Sequence, residues 1–342
     1  MNAPQRILII RPSALGDVCR SVPVLASLRA AFPDARIDWL VQDTFADAIV
    51  AHPALTNAIP FARREISDQI KSGKGTALRA LLARLKEPEY TLVLDCQGLA
   101  RSGFFAWATR APRRVGLADA RELGWLGLTE RVRVEAGRHA VDRMLDLVRA
   151  AGVTPLADMR LYPPRDALLR VLADPDIPRN GYVLIAPTSR WPGKQWPDDR
   201  FVQIARRCLD QGYRVVIVGS RAERSQIPRL LDLPLHERRV IDRVGATTIG
   251  DLMGLVAGAK VVIGNDSAAI HMAVGFAKPL IALFGPTDVS LVGPYKREGD
   301  VLQHVQPGER LDHKLPETGR RIMERISVDE VKLRLDAALL EA

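Results

Sequence analysis

Cysteine is nearly absent from this 342-residue chain: Cys19, Cys96 and Cys208 are the only three, far apart and odd in number. None belongs to a C-x-x-C pair, so neither a disulfide framework nor a cysteine zinc site is indicated, and a reducing, cytoplasmic setting fits. Aromatic residues make up only 5%. No helix-turn-helix, zinc-finger or RNP-type signature is present, which argues against a nucleic-acid partner. No G-x-G-x-x-G opens the chain, which weakens a nicotinamide dehydrogenase. Long apolar runs are missing as well. The opening MNAPQRILIIRPS has four consecutive apolar residues before Arg11, too few for a signal-peptide core. Nothing later approaches the ~18–20 residues of a membrane span. The expectation is a protein that is soluble or peripheral to a membrane.

What is present is ordinary globular composition, 47% hydrophobic and 26% charged, in a chain long enough for two domains with separate cores. The net charge is +9, and residues 60–150 hold 17 Lys and Arg against 11 Asp and Glu. Such a bias attracts an anionic partner, whether nucleic acid, membrane face or acidic substrate. It also suits a merely soluble basic surface.

Apolar runs alternate with helical patterns. Strands are expected at Arg6–Ile10, Arg36–Val41 and Thr91–Asp95, then at Tyr182–Ala186, Arg214–Gly219, Lys260–Gly264 and Leu280–Phe284. Alternation of this kind predicts parallel βαβ units in both halves. Between them Leu161–Asn180 holds four prolines and is the expected linker. Ser327 and Glu330 form a capping-box pattern, followed by Val328, Val331, Leu335 and Leu339 at helical spacing. That terminal helix must dock its apolar face. No tandem repeat or low-complexity tract is found.

Two motifs are decoys. Ser72–Thr76 (SGKGT) lacks the spacing of a P-loop and no strand precedes it. Asp174-Pro175-Asp176 is a D-x-D, but it falls in the Pro-rich junction rather than at a strand end.

Other positions are candidates. Asp17 follows the first strand in the loop Arg11–Val18, where a carboxylate either caps a helix or serves as general base. Lys194, in the Gly-containing loop after Tyr182–Ala186, suits a diphosphate or is a plain surface lysine. Glu223 stands where acidic side chains grip a ribose hydroxyl. In VVIGNDSAAIHMA, Asp266 and Ser267 sit where strand gives way to helix, a place that presents N–H groups to a phosphate. His271 is a core histidine or a donor to a phosphate or sugar oxygen, and with no second histidine nearby a metal site is not expected.

Taken in order, the opening ILIIRPSALGDVCRSVPVL, LDCQGLARS, Ala120-Arg121-Glu122, HAVDR, GNDSAAIHMA and FGPTD resemble the heptosyltransferases of glycosyltransferase family 9, over nearly the whole chain and most closely the type I enzymes. The resemblance implies a GT-B α/β fold: two Rossmann-like domains with parallel sheets facing each other, and a C-terminal helix crossing back to the N-terminal domain. The implied divisions are an acceptor domain at 1–160, a linker at 161–180, a nucleotide-sugar domain at 181–325 and the terminal helix at 326–342. It implies an inverting, metal-independent transfer of heptose from ADP-heptose, with no cofactor. Asp17 would be the base, and Lys194, Glu223, Asp266, Ser267, Ala268 and His271 would bind the donor, with Thr188, Ser189 and Thr247 as further contacts.

The implied acceptor is Kdo-lipid A, whose carboxylates and phosphates lie at the cytoplasmic face of the inner membrane. It would be met by Ser13, Arg63, Arg64, Arg101 and Arg121, with Arg113, Arg114 and Arg138 as further candidates from the basic stretch. A monomer in peripheral membrane contact is expected. Ser267-Ala268 stands where close relatives carry Thr-Gly, and Trp191-Pro192-Gly193 replaces acidic residues before Lys194. The alternatives are a family-9 enzyme with another donor sugar or a later core acceptor, a sugar-nucleotide epimerase, and a non-catalytic sugar-nucleotide binder.

Overall fold

The computed structural model describes residues 5–178, 181–312 and 314–341. It divides after Tyr162 into two compact units. In the first, six parallel strands are ordered β3-β2-β1-β4-β5-β6: β1 (Arg6–Ile10), β2 (Arg36–Gln42), β3 (Asn57–Phe61), β4 (Leu92–Asp95), β5 (Arg113–Leu117) and β6 (Glu130–Val132). The second unit repeats the plan as β12-β11-β10-β7-β8-β9, from β7 (Tyr182–Ala186), β8 (Arg214–Ile217), β9 (Val240–Asp242), β10 (Val261–Asn265), β11 (Leu280–Leu283) and β12 (Val301–Leu302).

Both orders are that of a Rossmann sheet. In each, two central strands lead their connections to opposite sides, leaving a crevice at their carboxyl ends. In the first unit these are β1 and β4, paired with Ile10 opposite Asp95. In the second they are β7 and β10, paired with Ala186 opposite Gly264. All seven expected strands are found to within two residues at either end. All seven are inner strands, and Ile7–Ile10, Val183–Ile185 and Val261–Ile263 are wholly buried. The five strands not foreseen are short or carry polar residues and Pro60, so no apolar run marks them.

Two expectations change. The proline-rich stretch is not open linker: Arg165–Ala173 is a helix packed on the helix Ile249–Gly258, with Val171 against Gly254. Its last two residues, Arg179 and Asn180, lie outside the described residues. The terminal helix Val328–Glu341, expected on the first domain, docks its apolar face within the second unit. Val331 and Leu335 are buried in the core of the second unit, joined by Val328 and Leu339, because its stripe fits the helix Asp198–Asp210 and strands β10 and β11. Its capping box forms as expected, with Ser327 N–H donating to Glu330 Oε2 at 3.0 Å and Glu330 N–H donating to Ser327 Oγ at 3.2 Å.

Candidate active site

The crevice of the first sheet is built by the loops after β1 and β4. Asp17 lies in the first turn of the helix Leu15–Arg20, and its Oδ2 accepts the Ala14 N–H at 3.3 Å. So it does cap the helix, but it does more. Its Oδ2 is 3.0 Å from Arg11 Nη2, and its Oδ1 accepts from Arg20. Burial opposes the charge on Asp17, yet Arg11 and Arg20 outweigh it and hold the carboxyl well below the usual range. Arg11 also donates to Cys96 O, and Ser13 N–H donates to Gln97 Oε1 at 3.1 Å, which ties the two loops together.

The second loop is shaped by buried Asp95. Its carboxylate accepts from Gln97 N (2.9 Å), Gly98 N (3.1 Å) and Ser102 Oγ (2.9 Å). Burial nevertheless pushes its pKa up. Arg11, Arg20, Asp95, Gln97 and Ser102 were not singled out from the sequence. Gln97 and Ser102 lie within the LDCQGLARS motif, and that was their only signal.

Of the arginines expected to meet an acceptor, Arg63, Arg64 and Arg121 are exposed and Arg101 is half-buried. All follow carboxyl ends of strands in this sheet. Arg101 sits over the Phe61 ring at 5.2 Å. Burial and the nearby charge of Arg63 pull its pKa down, against Glu122. Arg113, Arg114 and Arg138 are already engaged by the protein. Arg113 pairs with Glu130 at 2.8 Å, Arg114 donates to Gly127 O and Ala111 O, and Arg138 pairs with Asp146 at 2.9 Å.

The crevice of the second sheet gathers most of the donor candidates. Lys194 Nζ is 2.6 Å from Asp266 Oδ2, with side chains only 14% and 10% exposed. Thr287, from FGPTD, donates to the same oxygen at 2.8 Å. Burial works against the Asp266 charge, but Lys194, His271 and Thr287 together lower its pKa. His271 is buried on the helix Ala268–Gly275. Ser267 precedes that helix, and its hydroxyl is buried without a hydrogen-bond partner, an orphan that a ligand oxygen satisfies. Ala268 opens the helix.

Glu223 Oε2 accepts from Thr188 Oγ1 at 3.0 Å and Ser220 Oγ at 2.8 Å, joining the loops after β7 and β8. Ser189 N–H donates to Gln226 Oε1 at 3.2 Å. Thr247 is half-buried in the loop after β9, one residue before the cap of the helix Ile249–Gly258. It belongs to the same edge of the sheet. The decoys are accounted for: Asp174 and Asp176 both pair with Arg243, at 2.6 and 3.1 Å, and Ser72–Thr76 links two helices. Among the described residues no group of three or more His, Cys, Asp or Glu gathers as a metal site.

The model of glycosyltransferase family 9 (heptosyltransferase) matches residues 78–317. Lipopolysaccharide heptosyltransferase 1 of Pseudomonas aeruginosa is 31% identical over 303 residues, which span 85% of this chain and 82% of that protein. The heptosyltransferase 1 of Escherichia coli K12 is 28% identical, over 85% and 91% of the two chains. The solved E. coli ADP-heptose lps heptosyltransferase II superposes with a TM-score of 0.80 at 22% identity, covering 98% of this chain and 99% of that one. It establishes the fold as GT-B. The chain belongs to glycosyltransferase family 9 and is a glycosyltransferase.

Proposed function

We propose that the chain transfers L-glycero-D-manno-heptose from ADP-heptose to a Kdo-lipid A acceptor, by inverting displacement and without a metal. The observation that carries this reading is the pair of switch-point sites. One unit presents a carboxylate, Asp17, among arginines; the other presents Lys194, Asp266 and the unpartnered Ser267 hydroxyl at a helix start. Solved relatives titled as holding ADP and ADP-2-deoxy-2-fluoro heptose support the choice of donor.

In this mechanism an acceptor hydroxyl oxygen attacks the anomeric carbon opposite the diphosphate, and its proton passes to Asp17. The anomeric C–O bond breaks with its electron pair leaving on the diphosphate. Lys194 and the N–H groups of Ser267–Ala269 stabilise that charge, while Glu223 holds a ribose hydroxyl. Ser13, Arg63, Arg64, Arg101 and Arg121 hold the anionic acceptor.

The acceptor lies in a membrane, and peripheral contact has a candidate surface on the first unit. No helix among the described residues is long and apolar enough to span a bilayer. However, Phe104 and Trp107 stand 41% and 59% exposed on the helix Ala100–Ala108, with rings stacked 6.0 Å apart. A hollow beside Trp107 is lined by Lys86, Arg110 and Arg114. Aromatics rimmed by cations suit an anionic lipid face.

The test is to incubate the purified chain with ADP-heptose and Kdo-lipid A and weigh the lipid. Gain of one heptose is expected. Transfer only from a different sugar nucleotide overturns the donor, and ADP-heptose binding without transfer favours the non-catalytic reading.

A further inference from the structure

Both carboxylate oxygens of Asp17 are already engaged, one by Arg11 at 3.0 Å and the other by Arg20. A base held by a guanidinium on each oxygen is a weak one, because protonating it means giving up an ion pair. The same three side chains line a cavity of about 170 Å³ with Gln97, Met144 and Arg143. Its charged walls are three guanidiniums against one carboxylate, and Arg143 is partnered from outside the lining by Asp119 at 2.6 Å. The Nε of Arg11 is buried with no hydrogen-bond partner. An excess of half-buried cation beside a void, with a donor left unsatisfied, is the arrangement an anion completes.

We propose that this cavity receives a carboxylate of the acceptor sugar, and that Arg11 and Arg20 exchange Asp17 for that carboxylate, so that acceptor binding itself unclamps the base. The inference rests on the transferase reading and on Asp17 as its base. Its chemistry is a swap of ion-pair partners: two guanidiniums leave one carboxylate for another, with no proton moved until the hydroxyl attacks. A hydroxyl without a neighbouring carboxylate, water included, meets a clamped and therefore weak base, which protects the donor from hydrolysis. The charged neighbours agree with this. Besides Arg11, Arg20 and Arg143, the groups facing Asp17 from packed elements are Cys19 on its own helix, Asp95 at the end of β4 and Cys96 just after it. The turn Asp43–Ala48, packed on the same helix, carries Asp43 and Asp47. Burial pushes the two thiols up to about 12, so they stay neutral. Arg11 and Arg20 hold the Asp17 carboxyl low, and losing them to a ligand raises its proton affinity toward the ordinary carboxylate range.

The experiment compares a Kdo glycoside with its carboxamide as acceptors, and a phosphorylated with a dephosphorylated lipid acceptor. In the wild-type chain, the carboxamide should lower kcat/KM by about 100-fold or more, and loss of lipid phosphate by much less. R11Q and R20Q should each shrink the carboxamide effect to within about 5-fold. In the wild type the acid limb of kcat should lie at higher pH than that of kcat/KM, because only the bound complex is unclamped. In the variants the two limbs should converge. A second readout needs no turnover: in chain labelled with ¹³C-aspartate, the carboxyl resonance assigned through D17N should move on adding the Kdo glycoside and not the carboxamide. Coincident limbs in the wild type, an undiminished carboxamide effect in both variants or a stationary Asp17 resonance overturns the clamp. A phosphate effect larger than the carboxamide effect reassigns the cavity to phosphate and overturns it too. A resonance that moves in a chain that transfers no sugar leaves the anion cavity standing and removes the transferase reading instead.

Discussion

In the proposed mechanism Asp17 is the residue on which the chemistry turns. A positioned base contributes about 10²–10⁴-fold, so D17N should lower kcat by about that factor. Because Lys194, Asp266 and Ser267 are untouched on the other unit, the ADP dissociation constant should stay within about twofold. A calorimetric titration beside a turnover assay measures both, and near-normal turnover removes Asp17 from the mechanism. Lys194 and Asp266 pose a different question, since each has stability and binding riding on it. Removing one partner of a buried ion pair costs about 3–5 kcal/mol, whereas replacing both is often nearly neutral. K194M should therefore lose ADP binding and unfold at lower denaturant, while K194M combined with D266N should recover most of the stability and none of the binding. The Asp266 carboxyl sits below its ordinary value of 3.8 in the fold. Its contribution is therefore complete above the unfolded-state pKa and drains away as pH falls below it. The sequence displayed Asp17, Lys194 and Asp266 because each follows an apolar strand in a polar loop. It did not display Arg11 and Arg20 as partners of one carboxylate, or Thr287 as a partner of Asp266, because those pairings exist only once loops from separate strands meet.

Elements place these side chains, and two of the supports are glycines pressed against backbone. The turn Pro192–Lys194 carries the lysine and rests on the helix Pro316–Arg325. A Cβ on Gly319 would lie 2.4 Å from Gly193 O, a clash that forces the Lys194 loop and the helix apart. G319A should weaken ADP binding at least tenfold and cost about 1–3 kcal/mol, while G299A, which meets nothing within 4 Å, should do neither. Gly193 read as a mere departure in the Lys194 loop, because the helix it packs on lies more than a hundred residues away. The helix Ala100–Ala108 is fixed similarly: a Cβ on Gly103 would fall 2.0 Å from Gly124 O, so the turn Gly124–Gly127 packs flush on it. Its outer residues Phe104 and Trp107 remain exposed. F104S/W107S should reduce binding to vesicles containing anionic lipid by tenfold or more in a flotation assay. Transfer to a soluble, delipidated acceptor should hold, and unchanged flotation moves the membrane surface elsewhere. At this scale the inner strands were legible from their continuous burial, except β5, whose run opens with the half-buried Arg113 and Arg114. The edge strands β3, β6, β9 and β12 were not, since partial exposure gives them polar residues.

At the scale of the whole molecule, two Rossmann sheets of the same strand order each close on a separate core. The alternation of strands and helices made that duplication readable, but not the destination of the terminal helix. An amphipathic stripe specifies that a face is covered without saying by what, and here the cover is the second unit's own sheet. Separate cores have a measurable consequence through the three cysteines. Cys19 and Cys96 are buried in the first unit and Cys208 in the second, none more than 1% exposed. Burial pushes all three thiols up to about 12, so at pH 8 a disulfide reagent reaches them only through opening of the unit that holds them. A ligand that binds one folded unit suppresses its opening by the factor 1 + [L]/Kd, which is about 100-fold at 100 times Kd. With the donor site on the second unit, ADP at that concentration should slow labelling of Cys208 by about two orders of magnitude and leave Cys19 and Cys96 within about twofold, as mass spectrometry of the labelled peptides reads directly. Equal protection of all three thiols would mean that the units open together, and protection of Cys19 and Cys96 alone would put the nucleotide on the first unit.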